Sequence, residues 1–363
     1  MAQSNESGDP EPRARLSRRA TLGGLAVASA ATLLPITLVS AQAAVRLPRL
    51  IDVHHHHVPP EYLAAVKEGA ARLKTALPPP MRDWTPAKSL EAMDRNGIAA
   101  SVLVLAQSQG AWNHDDLAGM ARLARQCNEF GAKMVQDHPG RYGFYAWLPM
   151  PDIDGSLKEI AYGLDELKAE GIGFFTSYDN KWPGDPAFAP VFEELNRRKA
   201  VVYFHPWAPP CCGGLIPGVS DNYIEYTQDT ARAVLSLLFS GSLARCRDIR
   251  WVFSHGGGPI PVLAGRVNTL ATTRGPDLSK VAPDGIIAEL KRLHYETANA
   301  VYKPTIDALL DLAPLSQILF GTDYPYVSVN DNTEGMVRLK LSPKQLHAIA
   351  SANATRLFPR LKA

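Results

Sequence analysis

Short apolar runs alternate with longer amphipathic stretches along most of this chain, and this alternation constrains its fold more than any other feature. Eight runs have the composition of buried strands: Leu50–Val53, Ala99–Leu105, Gly143–Leu148, Gly171–Thr176, Ala200–Phe204, Ile249–Phe253, Leu293–Glu296 and Ile318–Gly321. Helical patterns lie between them, over Leu117–Val135, Gly155–Glu170, Phe188–Arg198, Thr227–Phe239 and Thr305–Leu312. Strands that alternate with helices form parallel sheets. Eight such units predict an α/β fold, the (β/α)₈ TIM barrel.

The amino-terminal residues have a different character from the rest of the chain. Arg18 and Arg19 precede an apolar stretch over residues 22–39, and Ala41-Gln42-Ala43 follows. That order is typical of a cleaved twin-arginine export signal. A membrane anchor is the alternative, but glycines, a proline and the small-residue cleavage site favour removal of the segment. We expect a signal peptide over residues 1–43, no stable membrane anchor, and a periplasmic or secreted mature protein.

The composition of the whole chain indicates a globular protein. The chain of 363 residues is 46% hydrophobic and 20% charged, which is enough apolar material for a sizeable core. Residues 44–363 fit one catalytic barrel domain, since such barrels use roughly 250 residues or more. The formal net charge is only +2, with no long block of like charge. Nucleic acid is therefore not an expected partner.

Four cysteines do not form a disulfide framework in a chain of this length. Cys127 and Cys246 have the setting of structural residues. Adjacent Cys211 and Cys212 would bridge only with strain. A second metal site at this pair is the alternative, although no CxxC partner or nearby histidine cluster supports it.

Histidine and aspartate residues end several of the expected strands. His54 and His56 follow the first run and are two residues apart, so their side chains face the same way and His55 and His57 the other. His205 ends the fifth run and Asp323 the eighth. The carboxyl ends of barrel strands meet at one face, where neutral imidazoles and a carboxylate suit Zn²⁺ or a similar divalent ion. The sequence therefore predicts a metal site formed by these four residues.

His255 ends the sixth run and is followed by three glycines. Imidazole titrates near neutral pH, so we expect His255 to act as a general acid/base beside the metal.

Four motifs together identify a family resemblance: Asp52-Val53-His54-His55-His56, Phe204-His205-Pro206, Ser254-His255-Gly256-Gly257 and Gly321-Thr322-Asp323-Tyr324-Pro325. In their order and spacing they resemble the amidohydrolase-related enzymes, which include aminocarboxymuconate-semialdehyde, resorcylate and methylsalicylate decarboxylases. The likeness covers most of the mature chain. It implies a metal-dependent hydrolase type of barrel, with His54, His56, His205 and Asp323 as ligands and His255 as acid/base. Zinc is the default ion and manganese the alternative. The fourth run lacks the lysine that bridges two metals in other amidohydrolases, which favours a single metal.

The resemblance also implies contacts for a small carboxylic acid substrate. Arg266 matches an arginine that binds substrate carboxylate from the neighbouring subunit in the muconate-semialdehyde branch, which points to a homodimer. An ordinary helix-surface ion pair is the alternative for Arg266. Arg82 is a second candidate for the carboxylate. Trp84, Trp207 and Tyr324 are candidates for the wall of an apolar pocket, with core packing as the alternative.

Fold and metal site alone do not fix the reaction. We expect non-oxidative decarboxylation of an aromatic or unsaturated acid, with His255 or Asp323 delivering a proton to the carbon that bears the carboxylate. Hydrolysis of a lactone, ester or amide is the alternative that uses the same residues. A metal-binding protein without catalysis is a third interpretation.

Overall fold

Eight parallel strands form the centre of the molecule. The computed structural model describes residues 47–105, 111–112 and 115–362. Each strand pairs with the next in sequence order from β1 to β8. The strands are β1 Leu50–His57, β2 Ile98–Leu105, β3 Tyr142–Trp147, β4 Gly171–Phe175, β5 Val201–His205, β6 Arg250–Phe253, β7 His294–Glu296 and β8 Ile318–Leu319. All eight predicted runs are strands, within a few residues at their ends.

The first and last strands also meet, so the sheet is a nearly closed (β/α)₈ barrel. The Val53 amide donates to the Phe320 carbonyl at 2.9 Å, and the Asp323 amide donates to the His54 carbonyl at 2.9 Å. These bonds run past the end of the short strand β8, which brings Asp323 beside the histidines of β1. The predicted first strand ended at Val53, whereas β1 continues to His57. His55 and His57, which face away from the barrel interior, are buried as well as His54 and His56, so both faces of this part of the strand are covered.

Helices alternate with these strands. They are α1 Pro60–Leu73, α2 Pro79–Arg82, α3 Pro86–Arg95, α4 Leu117–Asp137, α5 Ile153–Ala161, α6 Ala189–Arg197, α7 Glu225–Phe239, α8 Ser242–Arg245, α9 Ile260–Arg274, α10 Leu278–Val281, α11 Ile286–Lys291, α12 Lys303–Leu312, α13 Val329–Arg338, α14 Pro343–His347 and α15 Asn353–Leu357. The five predicted helical segments coincide with α4, α5, α6, α7 and α12. The second segment, predicted over Gly155–Glu170, is shorter as an α-helix. After α5 ends, the chain continues as a π-helical turn over Tyr162–Glu166.

Alternate strands supply a layer of side chains that fills the barrel directly under its catalytic end. His54 from β1, Tyr145 from β3, Tyr203 from β5 and Glu296 from β7 are all fully buried. The rings of Tyr145 and Tyr203 stack with centroids 4.7 Å apart, and Tyr203 lies 5.5 Å from the His54 ring. A layer contributed by every second strand is the usual filling of this barrel.

Two expectations concern parts of the chain away from the barrel. The twin-arginine segment over residues 1–43 lies outside the described residues. Within the described part, no helix is both long and apolar enough to cross a bilayer. A disulfide joins Cys211 to Cys212, whose Cα atoms are 3.8 Å apart, so this adjacent pair, which was expected to bridge only with strain, is bridged. The two residues lie in a loop where no strand or helix fixes their backbone. Cys127 and Cys246 are free and buried, as expected.

Candidate metal centre and active site

The four consecutive histidines of β1 divide into two pairs. His54 and His56 point into the barrel mouth, where their Nε2 atoms are 3.0 Å apart. His55 and His57 face the opposite side. The Nδ1 of His55 contacts Asp52 at 3.0 Å and its Nε2 contacts Ser89 at 2.8 Å, whereas His57 donates from Nδ1 to the Val104 carbonyl at 3.0 Å. Strand alternation therefore separates candidate ligands from structural histidines, as the sequence predicted.

All the histidines at the mouth are held in the same tautomer. Their Nδ1 atoms lie 2.9 to 3.1 Å from oxygens that can only accept a hydrogen bond: the Glu296 carboxylate for His54, and the carbonyls of Leu105, Pro206 and Ala298 for His56, His205 and His255. Each Nδ1 therefore carries a hydrogen, which directs Nε2 into the mouth, where its lone pair is available to a metal once any proton has left it. An Nε2 lone pair fixed by an Nδ1 hydrogen bond is the usual state of a metal-binding histidine.

These lone pairs converge with one carboxylate. Ligand atoms of His54, His205, His255 and Asp323 all lie within 4.8 Å of one another. The Nε2 of His56 is 2.9 Å from the Oδ1 of Asp323. The Nε2 of His205 is buried and has no hydrogen-bond partner within the described part of the chain. Several lone pairs directed at one point without donors between them would repel unless a cation lies there. The residues therefore fit a single divalent ion bound by nitrogen and oxygen.

The pKa shifts of the clustered residues also indicate a site for a cation. Burial opposes protonation of His54, but the carboxylates of Glu296 and Asp323 outweigh burial and raise its pKa to about 10. Burial would raise the pKa of Asp323, yet His54 and the hydrogen bonds from His54 and His56 hold it well below its usual range. Burial, with His56 and His54 nearby, lowers the pKa of His205 well below its usual value. The site keeps Asp323 ionised and His205 neutral, and its carboxylates favour positive charge at His54: a proton when no metal is bound, which a divalent cation would replace.

The five residues predicted for the centre are thus brought together. The assignment of four as ligands and His255 as acid/base stays a prediction, because His255 also reaches the cluster. Its position does differ from the others. His255 is only partly buried and has a left-handed backbone with φ of 53°, whereas His54, His56 and His205 are buried.

A shell of polar groups surrounds the cluster, and sequence reasoning missed it: Glu296 and Asp52 are fully buried, whereas Asn299 is exposed. Glu296 ends β7 and holds His54. Asn299 donates from Nδ2 to the Oδ2 of Asp323 at 2.7 Å. Asp52 accepts from the His54 amide at 3.0 Å and from the Thr322 hydroxyl at 2.6 Å, which joins β1 to the loop after β8. The available signal for Glu296 was an acidic residue at the end of an expected strand, the same signal that marked Asp323.

The residues predicted to contact substrate are placed unevenly. Trp84 is buried in the core with its ring 6.3 Å from Phe130. Arg82 is exposed and forms a bidentate pair with Asp83, at 2.8 and 2.9 Å. The contacts given for Arg82 and Trp84 are therefore with Asp83 and Phe130, and not with the clustered histidines or Asp323.

Trp207 and Tyr324 lie closer to the metal centre. Trp207 follows His205 by two residues, its amide donates to the Thr176 hydroxyl at 2.9 Å, and its ring is 4.9 Å from Phe175. Tyr324 follows Asp323 and stacks on His55 with ring centroids 4.7 Å apart. Tyr326, which was not predicted, lies edge-on to His56 at 5.1 Å. Of these three rings, Tyr326 contacts a candidate ligand, whereas Tyr324 packs on the outward-facing His55 and Trp207 packs on Phe175.

Arg266 is in the middle of α9 and is exposed. Val262 and Leu270 lie one helical turn before and after it and are 72% and 37% exposed. The three side chains form one outward face of α9.

Comparisons with known proteins agree with this geometry. The profile of the family described as Amidohydrolase matches residues 51–360. A decarboxylase named yanB from Aspergillus niger is 32% identical over 337 residues, which cover 86% of this chain and 88% of that protein. The 6-methylsalicylic acid decarboxylase acuB of Aspergillus aculeatus is 32% identical, over 86% of this chain and 96% of that one. This chain therefore belongs to the amidohydrolase family.

A solved structure shares the fold. The dihydroxybenzoic acid decarboxylase of a Polaromonas species, crystallised with manganese and the inhibitor 2-nitroresorcinol, superposes with a TM-score of 0.73 at 20% identity. The match covers 86% of this chain and 98% of that one.

Proposed function

We propose that this protein is a metal-dependent non-oxidative decarboxylase of an aromatic carboxylic acid. The observation that carries the proposal is the convergence of the Nε2 atoms and the Asp323 carboxylate in a member of a family whose similar members are named decarboxylases. An aromatic substrate is supported by the Tyr326 ring, which contacts the candidate ligand His56, since flat rings pack well against one another.

One divalent ion would be held by His54, His56, His205 and Asp323. When bound, it supplies positive charge that orients and polarises substrate oxygens. Zinc suits three imidazoles and a carboxylate, and manganese, which the Polaromonas enzyme contains, is the alternative.

The chain's own residues would manage the proton. Decarboxylation breaks the bond between the ring carbon and the carboxylate, releases CO₂, and places a proton on that carbon. His255 is best placed to deliver the proton, because Nδ1 is fixed on the Ala298 carbonyl and Nε2 faces the cluster from the more open side. Asp323 is the second candidate, although its low pKa means that it carries no proton of its own at neutral pH.

We further propose a homodimer in which α9 delivers Arg266 to the partner's site. Support comes from the outward face of α9 and from the segment over residues 215–224, which exposes Leu215, Ile216, Val219, Tyr223 and Ile224. Exposed apolar patches of this kind mark interfaces. Mixing Arg266→Ala with His255→Ala should restore about a quarter of wild-type activity after subunit exchange, because only mixed dimers contain an intact site. A monomer by sedimentation, or no recovery on mixing, would contradict this arrangement.

Export through the twin-arginine pathway remains part of the proposal and is supported only by the sequence of residues 1–43. Mass spectrometry of the exported protein should give a chain that begins at Ala44. A pair of lysines at positions 18 and 19 should retain the precursor inside the cell.

The function is tested by measuring metal content and CO₂ release with purified mature protein. Substituted 2-hydroxybenzoates are the first substrates, followed by muconate semialdehydes. We expect one metal per chain and CO₂ release that falls by about 10²- to 10⁴-fold in His255→Ala while the metal is retained. His347→Ala, at an exposed histidine of α14, is the matched control and should behave as wild type. One bound metal without CO₂ from any acid would favour the hydrolase alternative, and absence of metal would refute the site.

A further inference from the structure

Glu296, at the end of β7, is a fully buried carboxylate that the proposed reaction does not use. Within the described residues it faces no lysine or arginine close enough for an ion pair. Instead, its two oxygens accept three hydrogen bonds from three different parts of the barrel mouth. A buried charge without a counter-ion is costly unless it is well hydrogen-bonded and serves a neighbouring site.

One oxygen serves two residues of the candidate centre. Oε1 accepts from the Nδ1 of His54 at 2.9 Å and from the backbone amide of His255 at 2.8 Å. The first bond turns the Nε2 of His54 toward Asp323 and His56. The second holds the amide of a residue whose backbone is left-handed, a conformation that side-chain-bearing residues seldom adopt without support.

The other oxygen completes the arrangement. Oε2 accepts from the Ala298 amide at 2.6 Å, and the Ala298 carbonyl in turn accepts from the Nδ1 of His255 at 3.0 Å. Glu296 therefore fixes both the backbone of His255 and the carbonyl that sets its ring. A candidate ligand on β1 and the candidate acid/base after β6 are tied to the same carboxylate.

The chain leaves space for this carboxylate at Gly321. A Cβ at position 321 would lie 2.1 Å from the Oε2 of Glu296 and 3.0 Å from the Cβ of His54. The glycine of the Gly-Thr-Asp-Tyr-Pro motif is thus explained by close approach of Glu296 and not by a left-handed turn, since its φ is not positive.

We propose that Glu296 is a positioning residue that couples the metal site to the acid/base by orienting His54 and His255 together. The inference rests on the proposed metal site but not on the identity of the substrate. Carboxylates that orient a metal-binding histidine commonly change metal affinity by 10- to 100-fold when removed.

The test is Glu296→Gln, in which the side chain keeps its size but loses its charge and one acceptor. Glutamine cannot accept three hydrogen bonds with the same geometry without turning its amide hydrogens toward another donor. We expect the dissociation constant for Zn²⁺, measured by chelator competition, to rise by about 10- to 100-fold. Glu289→Gln is the matched control, because Glu289 is equally buried but pairs with Arg247 and Arg292 away from the centre. Zinc affinity should not change in that variant.

Gly321→Ala changes position without neutralising the charge, because its methyl group would lie 2.1 Å from the Oε2 of Glu296 and 3.0 Å from the Cβ of His54, and so disturbs both partners of that hydrogen bond. We expect weaker zinc binding there as well. In both variants kcat should fall more than KM changes, since His255 is displaced while the aromatic pocket is kept. If either variant fails to fold, nitrogen-15 NMR of zinc-loaded wild type decides: His54 should bind zinc through Nε2 and keep a slowly exchanging Nδ1 proton.

Zinc affinity of wild-type strength in Glu296→Gln, or coordination of His54 through Nδ1, would overturn the inference. Neither readout involves substrate. A wild-type protein that binds zinc through these residues but releases no CO₂ would refute the proposed reaction and leave the role of Glu296 intact.

Discussion

The two ends of the barrel bury polar groups in opposite ways. At the carboxyl end, four histidines and Asp323 direct their ligand atoms at one another, and the Nε2 of His205 has no hydrogen-bond partner among the described residues. At the amino end, by contrast, two partly buried ionisable groups each have a partner of their own. His294, at the start of β7, has its Nδ1 3.3 Å from the Trp251 carbonyl, and Glu170 pairs with Arg360 at 3.0 Å beside a cavity of about 220 Å³.

The converging ligand atoms, and not the larger of the two cavities, mark the candidate site. A larger cavity of about 380 Å³ adjoins Tyr324, and its described lining includes none of the five clustered residues. The amino end should contribute only to stability. The carboxyl end should depend on a bound cation for both stability and chemistry. Each prediction below tests that division, from the largest expected effect to the smallest.

Removing a ligand should produce the largest change. His205→Ala deletes an Nε2 that has no protein partner among the described residues, so the metal loses a ligand without loss of a hydrogen bond from that atom to them. We expect zinc affinity to fall by more than about a hundredfold, beyond the effect of losing an outer-shell partner, and CO₂ release to disappear. His57→Asn, on the outer side of β1, keeps a donor for the Val104 carbonyl and should keep the metal. Equal metal content in His205→Ala and His57→Asn would contradict the dependence of the carboxyl end on a bound cation.

Metal addition should stabilise the carboxyl end by linkage. At a free zinc concentration of about a hundred times the dissociation constant, the free energy of unfolding should rise by about 2.7 kcal/mol. Urea unfolding of chelator-treated protein, with and without zinc, measures the change. The gain should be absent in His205→Ala. A similar gain in that variant would mean that zinc binds elsewhere.

Sequence reasoning was most successful where a chemically distinctive residue ended an apolar run. His205 and Asp323 were found in this way, because strand ends of a parallel barrel meet at one face. Glu296 was missed, since a single acidic residue after a short run has no motif around it and its role appears only when β7 lies beside β1. The helix α9 was also missed, because exposed Val262 and Leu270 place apolar residues on its outer side.

The individual hydrogen bonds that close the barrel could not be predicted from the sequence either. The bonds that join β1 to the residues after β8 cross more than 260 positions, for example from Thr322 to Asp52. No local pattern encodes them. The order of the eight runs predicted the barrel, but the polar shell that orients the ligands depends on which loops come into contact.

Acid should affect the amino end through His294. Burial, with Arg250 and Arg356 nearby, lowers its pKa from 6.5 to about 4. Between these values the unfolded chain binds a proton that the folded protein does not, so the free energy of unfolding falls as pH drops from 6.5 toward 4. Because His294 is partly exposed to solvent, we expect the free energy of unfolding to fall by about 2 kcal/mol over this pH range.

The substitution His294→Asn keeps a donor for the Trp251 carbonyl but removes this titration. Urea unfolding at several pH values should show a shallower decline than wild type between pH 6.5 and 4, with unchanged zinc affinity at neutral pH. Parallel pH curves for the two proteins would show that His294 is already charged in the fold.

The smallest effect is expected at the ion pair that borders the amino-end cavity. Arg360 is half exposed, whereas Glu170 is nearly buried and its pKa is raised by burial, which Arg360 partly offsets. Arg360→Ala should therefore destabilise the fold by about 1 kcal/mol, more than a fully exposed pair because a buried carboxylate is left without its partner. Arg95→Ala, which breaks an exposed pair with Glu91, is the control and should cost less. Zinc affinity and kcat should not change in either variant. A change in zinc affinity on removal of Arg360 would show that the two ends are coupled through the strands, and the division between a structural end and a catalytic end would then fail.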